Sequence, residues 1–314
     1  MSLHSEKQEL QRLQKSLERL NVLFERATPN DSEVQARRKA SYERLENLKS
    51  ETDGEMRLVL LCMTPRSGSS LFCEALFKTE KLGDPGEWFN AHDGNNLDKM
   101  VREFSAQNRE EMLDHIYTSS ATDNGVCIVK GDFYQCQPFL YDDLLFRHFD
   151  SVQFINIRRQ DLLAQAISRY IGTQTGSWAS HQEASDNEPR YDREGIQKQL
   201  DYMLTMEECW RNYFATRAMR PPQFTYEQII RNLPTKVEQV AKMCGLTLKS
   251  NATPNALRLK KQGSDRNSKW AKRFAKETRH MARKHTGLNM KPSDLRKPAQ
   301  NSPAKLPPKT VKHN

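Results

Sequence analysis

Arg66, Ser67, Gly68, Ser69 and Ser70 follow an apolar run, Leu58 to Cys62, and lead into apolar residues at helical spacing, Leu71 to Phe77. Residues of these types can grip an anion. The guanidinium of Arg66 is a planar, permanently charged fork. The serine hydroxyls and the N–H groups of the turn add donors, and Gly68 lets the backbone approach closely. A strand, a tight polar turn and a helix start also aim the positive end of a helix dipole at the turn. Such a loop suits a phosphate-bearing ligand.

The same residues exclude some chemistry. A nucleoside triphosphatase needs GxxxxGK[ST], whose Lys reaches the terminal phosphates and whose Ser or Thr holds magnesium. Here no Lys precedes Ser69 and Ser70, and the basic residue, Arg66, comes earlier. Triphosphate hydrolysis and small-molecule kinase activity are disfavoured. The six cysteines show no CxxC pair and no metal-ligand spacing, so they read as reduced core residues of a cytoplasmic protein without metal. The start, MSLHSEKQEL, has no apolar signal region, and no apolar run reaches the roughly 18 residues that span a bilayer.

The net charge of +9 is a property of one end. Residues 257–314 carry 17 Lys and Arg against 3 Asp and Glu, while the remainder carries 32 against 37. A mildly acidic body argues against nucleic acid as partner.

Several elements must position the loop. MRLVLLCM, GVCIVKG (125–131) and VQFINIR (152–158) read as buried strands, and PQFTYEQII as a short strand entering a helix. QDLLAQAISRYIGTQ and IQKQLDYMLTMEECWRNYFATR read as helices. Strands separated by helices predict an α/β fold with a parallel central sheet flanked by helices. Ahead of it, Leu3, Leu10, Leu17 and Phe24, with Leu13, Leu20 and Ala27 between, mark about three heptads. TPND then breaks the helix before a second one runs to about residue 50. This N-terminal helical hairpin is either a coiled-coil dimerisation arm or an amphipathic pair packed on its own domain. The expected division is 1–52 for the helical arm, 53–285 for the central domain and 286–314 for a disordered basic tail rich in Pro and Lys.

Strand, TPRSGSSLF and helix together resemble the 5′-phosphosulfate loop of sulfotransferases that use 3′-phosphoadenosine 5′-phosphosulfate (PAPS). LGDPGEWFN (82–90), RRQDLLAQAISRYIGTQTGSW (158–178), FTYEQII and LKKQGSDRNSKWAKRF narrow the resemblance to the trehalose 2-sulfotransferase-like, Stf-type bacterial family. The blocks keep the family's order over roughly 56–275.

The resemblance implies a P-loop-like sulfotransferase fold, PAPS as co-substrate without a metal, and a carbohydrate or glycolipid acceptor, with a trehalose-like sugar among the candidates. It also implies a homodimer. Arg66 to Ser70 would hold the 5′-phosphosulfate. Arg158 or Arg159, with Ser168, would hold the 3′-phosphate. The family's Arg and Ser stand eight apart, which here gives Gln160, so the choice between the arginines stays open, with Arg159 preferred. Lys261, Gln262 and Arg266 match the loop that closes over the 3′-phosphate. Glu87 matches the residue thought to deprotonate the acceptor hydroxyl, a poor nucleophile until its proton is taken. Trp88 and Phe89 would desolvate that carboxylate or stack on a sugar. Asp84, Asp93, His92, His115 and His148 are weaker candidates for the base. Lys130 either points at the transferring group or only packs its stem. Transfer would be an in-line displacement at sulfur. The reading from another class is a nucleotide-binding scaffold that keeps the fold and has lost catalysis.

Overall fold

The computed structural model describes residues 3–28, 30–92, 94–178, 188–248 and 265–286. In chain order its elements begin with α1 (Leu3–Phe24), α2 (Ser32–Glu51), β1 (Arg57–Met63) and α3 (Ser69–Phe77). Next come α4 (Asn96–Phe104), α5 (Arg109–Ser120), β2 (Val126–Gly131), α6 (Phe133–Leu140), α7 (Leu144–His148) and β3 (Ser151–Arg158). The remainder comprises α8 (Leu162–Thr175), α9 (Arg193–Thr216), β4 (Gln223–Thr225), α10 (Tyr226–Arg231), α11 (Leu233–Met243) and α12 (Asp265–Thr286).

The four strands form one all-parallel sheet in the order β2-β1-β3-β4. β1 reads as an unbroken apolar run because both of its faces are covered. Leu58, Leu60 and Cys62 enter the larger core, while Val59, Leu61 and Met63 enter the core on the opposite face. The two-residue period of a strand makes that division. α3 and α11 supply apolar residues to the second core, and α4, α5, α6 and the C-terminal half of α9 to the first. The expected α/β class with a helix-flanked parallel sheet is thus what the chain forms.

α1 packs on α6 and α4, and α2 packs on α5 and α4. Leu20, Leu23, Leu45 and Leu48 are buried in the larger core. Leu10, a heptad position, is 58% exposed, whereas the later heptad residues Leu20, Phe24 and Ala27, with Leu23 beside them, pack on the chain's own core. LKKQGSDRNSKW is the stretch expected to form a closing loop. From Asp265 onward it is instead the helix α12, whose Trp270 and Phe274 pack with Ile167 of α8 and Ile196 of α9. Two large apolar side chains four apart give a basic segment one face to bury. The tail beyond Thr286 lies outside the described residues. Among the described residues no helix is long and apolar enough to cross a membrane.

Candidate active site

The strand register gathers the site. Met63 at the end of β1 pairs with Ile157, Cys62 pairs with Gly131, and Arg158 pairs with Thr225. The segments leaving all four strands therefore open along one sheet edge, where α/β folds bind ligands.

The loop after β1 is held by a buried amide. Gln165 of α8 donates from Nε2 to Thr64 Oγ1 (2.7 Å) and to the Pro65 carbonyl (2.8 Å). Arg66 (φ 67°) and Gly68 (φ 82°) both take left-handed backbone, which turns the chain into α3. At Gly68 a side chain is excluded twice over, because a Cβ there would also lie 2.4 Å from the Tyr226 ring. Ser67 is buried, and its Oγ has no hydrogen-bond partner.

Arg66 donates from Nε to Ser168 Oγ (3.0 Å) and from Nη1 to the Trp178 carbonyl. Arg159 reaches back to the Arg66 carbonyl (3.4 Å), and its guanidinium lies 4.8 Å from the centre of the Tyr226 ring. Arg158 turns elsewhere, into a 2.5 Å ion pair with Glu207 of α9. Burial first, and then the charge of Arg159, hold Arg66 below the usual guanidinium range. Two neighbouring guanidinium groups in one loop region, with Ser67 Oγ and Arg159 Nε buried and without a hydrogen-bond partner, suit a multiply charged anion. These residues fit the phosphate groups of PAPS.

Glu87 is pinned by the strand beside it. Gly86 forms a parallel bridge with Val129, and its carbonyl accepts from the Lys130 N–H (2.9 Å). The Lys130 side chain points into the site. Its Nζ lies 2.8 Å from Ser70 Oγ and 3.3 Å from Glu87 Oε1, so one ammonium spans the loop and the carboxylate. Glu87 Oε2 accepts from Gln135 Nε2 (3.2 Å) and Asn90 Nδ2 (3.4 Å). Gln135 is itself fixed, because its Oε1 accepts from the Asp132 N–H in the capping box that starts α6. Burial pushes the Asp132 carboxyl up to about 6, and the nearby Glu87 charge adds to the rise. Gln135, Asn90 and Asp132 also line a cavity of about 230 Å³.

The remaining expected residues divide. Trp88 donates from Nε1 to the Asp84 carbonyl (2.9 Å). Phe89 is buried against Phe139, with ring centres 4.2 Å apart, and belongs to the core. His92 lines the cavity. His115 sits elsewhere, bonded to Ser41 Oγ (2.8 Å) and stacked on Phe104; burial lowers its pKa to about 4. His148 lies 3.2 Å from Asp114. Arg266 pairs with Glu188 at 3.0 Å. Lys261, Gln262 and Asp93 lie outside the described residues. Gln165, Gln135 and Tyr226 were not foreseen as site residues. Gln165 and Tyr226 fall within the quoted blocks 158–178 and FTYEQII, whereas nothing local marks Gln135. Among the described residues no group of three or more His, Cys, Asp or Glu could hold a metal ion.

Comparison with known proteins bears on this arrangement. The family model for Stf0 sulphotransferase matches residues 59–130 and 136–277, which take in most of β1 and β2, all of β3 and β4, the loop, Glu87 and Lys130. Trehalose 2-sulfotransferase of Mycobacterium tuberculosis (strain Erdman) is 24% identical over 258 residues, 71% of this chain and 96% of that protein. The trehalose 2-sulfotransferase of Mycolicibacterium smegmatis is 25% identical over 255 residues, 69% of this chain and 94% of that protein. A family match that takes in both the anion loop and the carboxylate pinned to the sheet edge leads to one conclusion: the chain belongs to the Stf0 sulphotransferase family.

Proposed function

We propose that the chain transfers a sulfuryl group from PAPS to a hydroxyl of a small carbohydrate or glycolipid acceptor, a trehalose-like sugar being the first candidate. The observation that carries this reading is the Lys130 ammonium, held between Ser70 Oγ and Glu87 Oε1 at 2.8 and 3.3 Å. It sets a base one side chain away from an anion loop.

Each residue then has a task. The loop N–H groups, Ser67 to Ser70 and Arg66 hold the 5′-phosphosulfate. Arg159 takes the 3′-phosphate with Ser168, because Arg158 is occupied by Glu207. Lys261, Gln262 and Arg266 would come from the C-terminal segment. Glu87 takes the proton of the acceptor hydroxyl as its oxygen bonds to sulfur, while the bond from sulfur to the bridging oxygen breaks on the far side. Negative charge grows on the departing phosphate, where Arg66, Lys130 and the loop donors stabilise it. Lys130 also holds the Glu87 side chain in place. We further propose a homodimer, as the family resemblance implies. A reducing, cytoplasmic setting agrees with six free cysteines, five of them buried.

The test pairs calorimetry of 3′-phosphoadenosine 5′-phosphate binding with transfer of radiolabelled sulfate from PAPS to trehalose, glucose and a glycolipid panel. Binding with transfer to one of these is expected. Nucleotide binding without transfer to any would favour a scaffold. Absence of nucleotide binding overturns the reading.

A further inference from the structure

The cavity beside Glu87 has a wall that the family match does not reach. Ser16, Arg19 and Leu20 of α1 line it together with Asn90, Gln135 and Tyr134, yet the match begins only at residue 59. α1 is held there firmly. Leu20 and Leu23 are buried in the main core, and Arg12 both donates to the Tyr134 hydroxyl and lies 5.1 Å from that ring's centre. Arg12, Ser16, Arg19 and Leu23 follow one another at four- and three-residue steps, so they share the helix face turned to α6.

We infer that α1 completes the acceptor pocket, and that Ser16 and Arg19 select the acceptor; this rests on the sulfotransferase reading above. Gln135 and Asn90 touch the cavity and donate to Glu87 Oε2, so a molecule in the cavity is one side chain from the base. The lining has the character of a sugar site: two tyrosines, Tyr134 and Tyr202, with amide, hydroxyl and guanidinium donors around them. Its 230 Å³ lies below the roughly 300 Å³ at which pockets for larger ligands begin. That space takes one hexose ring, with any further residue of the acceptor projecting outward. Arg19 and Ser16 bind ring hydroxyls on the side away from Glu87, and so decide which hydroxyl is presented to it.

Ser16→Trp fills the cavity and Arg19→Ala removes the guanidinium; Lys15→Ala, on an exposed position of the same helix, is the control. Transfer from radiolabelled PAPS to trehalose and to glucose is measured. Saturation-transfer NMR of both sugars is run on protein loaded with 3′-phosphoadenosine 5′-phosphate. Arg19→Ala should raise the sugar KM about tenfold, with kcat and nucleotide affinity unchanged. Ser16→Trp should abolish the sugar NMR signal at an unchanged Kd for the nucleotide, and Lys15→Ala should match the parent. If Ser16→Trp does not fold, Arg19→Ala decides alone. A sugar KM and NMR signal within twofold of the parent in the folded variants overturns this inference while leaving the transferase reading intact. Parent protein that binds nucleotide and gives no signal with either sugar overturns it as well. Loss of nucleotide binding by the parent would instead strike the proposed function.

Discussion

Arg66, Arg159 and Tyr226 each stand just past a strand of the sheet, and their mutual spacing follows from the strand register. Across the site, Asn90, Gln135 and Arg19 come from a loop and two helices that meet only through core packing. The anion loop, the proposed donor end, is therefore set by hydrogen-bonded backbone, and the cavity, the proposed acceptor end, by side chains of helices that pack around it. A register admits few alternatives, whereas a helix face can change its polar residues while its buried stripe stays. One family can keep its donor and vary its acceptor on such a plan.

Variants can break that contrast. Glu87→Gln keeps size and hydrogen bonding but cannot take a proton. Its transfer rate should fall by about two to four orders of magnitude with nucleotide affinity little changed, as single-turnover kinetics beside calorimetry would show. Lys130→Met keeps the stem and removes the ammonium that joins the two ends. It should lower kcat by about 10²–10³ and weaken nucleotide binding as well. A loss confined to one of these would show that Lys130 serves only one end. Arg66→Ala should weaken nucleotide binding by about 1.5–3 kcal/mol while the sugar KM holds, read from calorimetry and initial rates.

The smallest effect concerns stability. Burial raises the Asp132 carboxyl from 3.8 to about 6, so the folded chain keeps a proton that the unfolded chain releases. The stability contributed by that proton is full below about pH 4 and is lost as pH rises towards 6. Asp132→Asn preserves the helix cap and removes the charge. Thermal melts should be nearly unchanged at pH 4, and at pH 7.5 the variant should be more stable by about 1–2 kcal/mol. Equal shifts at both values would assign the effect to packing.

Much of the anion loop and its flanking elements was legible in the sequence. LVLLCM followed by TPRSGSS carries strand, turn and helix start within a few residues, and a doubly covered strand advertises itself by its unbroken apolar run. The stretch 90–125 was opaque. In α4 the apolar Leu97, Met100 and Val101 enclose a buried Asp98, which accepts from the Gly94 N–H (2.9 Å) and from Arg102 (3.2 Å). In α5 the buried set includes His115, Thr118 and Ser120, each making a hydrogen bond, and that polarity blurs the helical period. That Arg158 is held in an ion pair could not come from spacing, because its partner Glu207 lies 49 positions away. The packing of α1 was hidden by its heptads, whose leucines suggest a partner helix although Leu20 and Leu23 pack on its own domain.

The bridge between Gly86 and Val129 has one further consequence. β2 is an outer strand of the sheet, with Val126 to Val129 fully buried, and an open edge of that kind invites pairing with another chain. The segment that carries Glu87 lies along this edge: a Cβ at Gly83 would meet the Val126 carbonyl at 3.0 Å, and Gly86 accepts from Lys130. The backbone that carries Glu87, the proposed base, is thus also a cover for that edge. Remodelling 83–88 to admit a bulkier acceptor would trade colloidal behaviour for specificity. Under the proposal above, new acceptors are better sought by changing the face of α1 that lines the cavity.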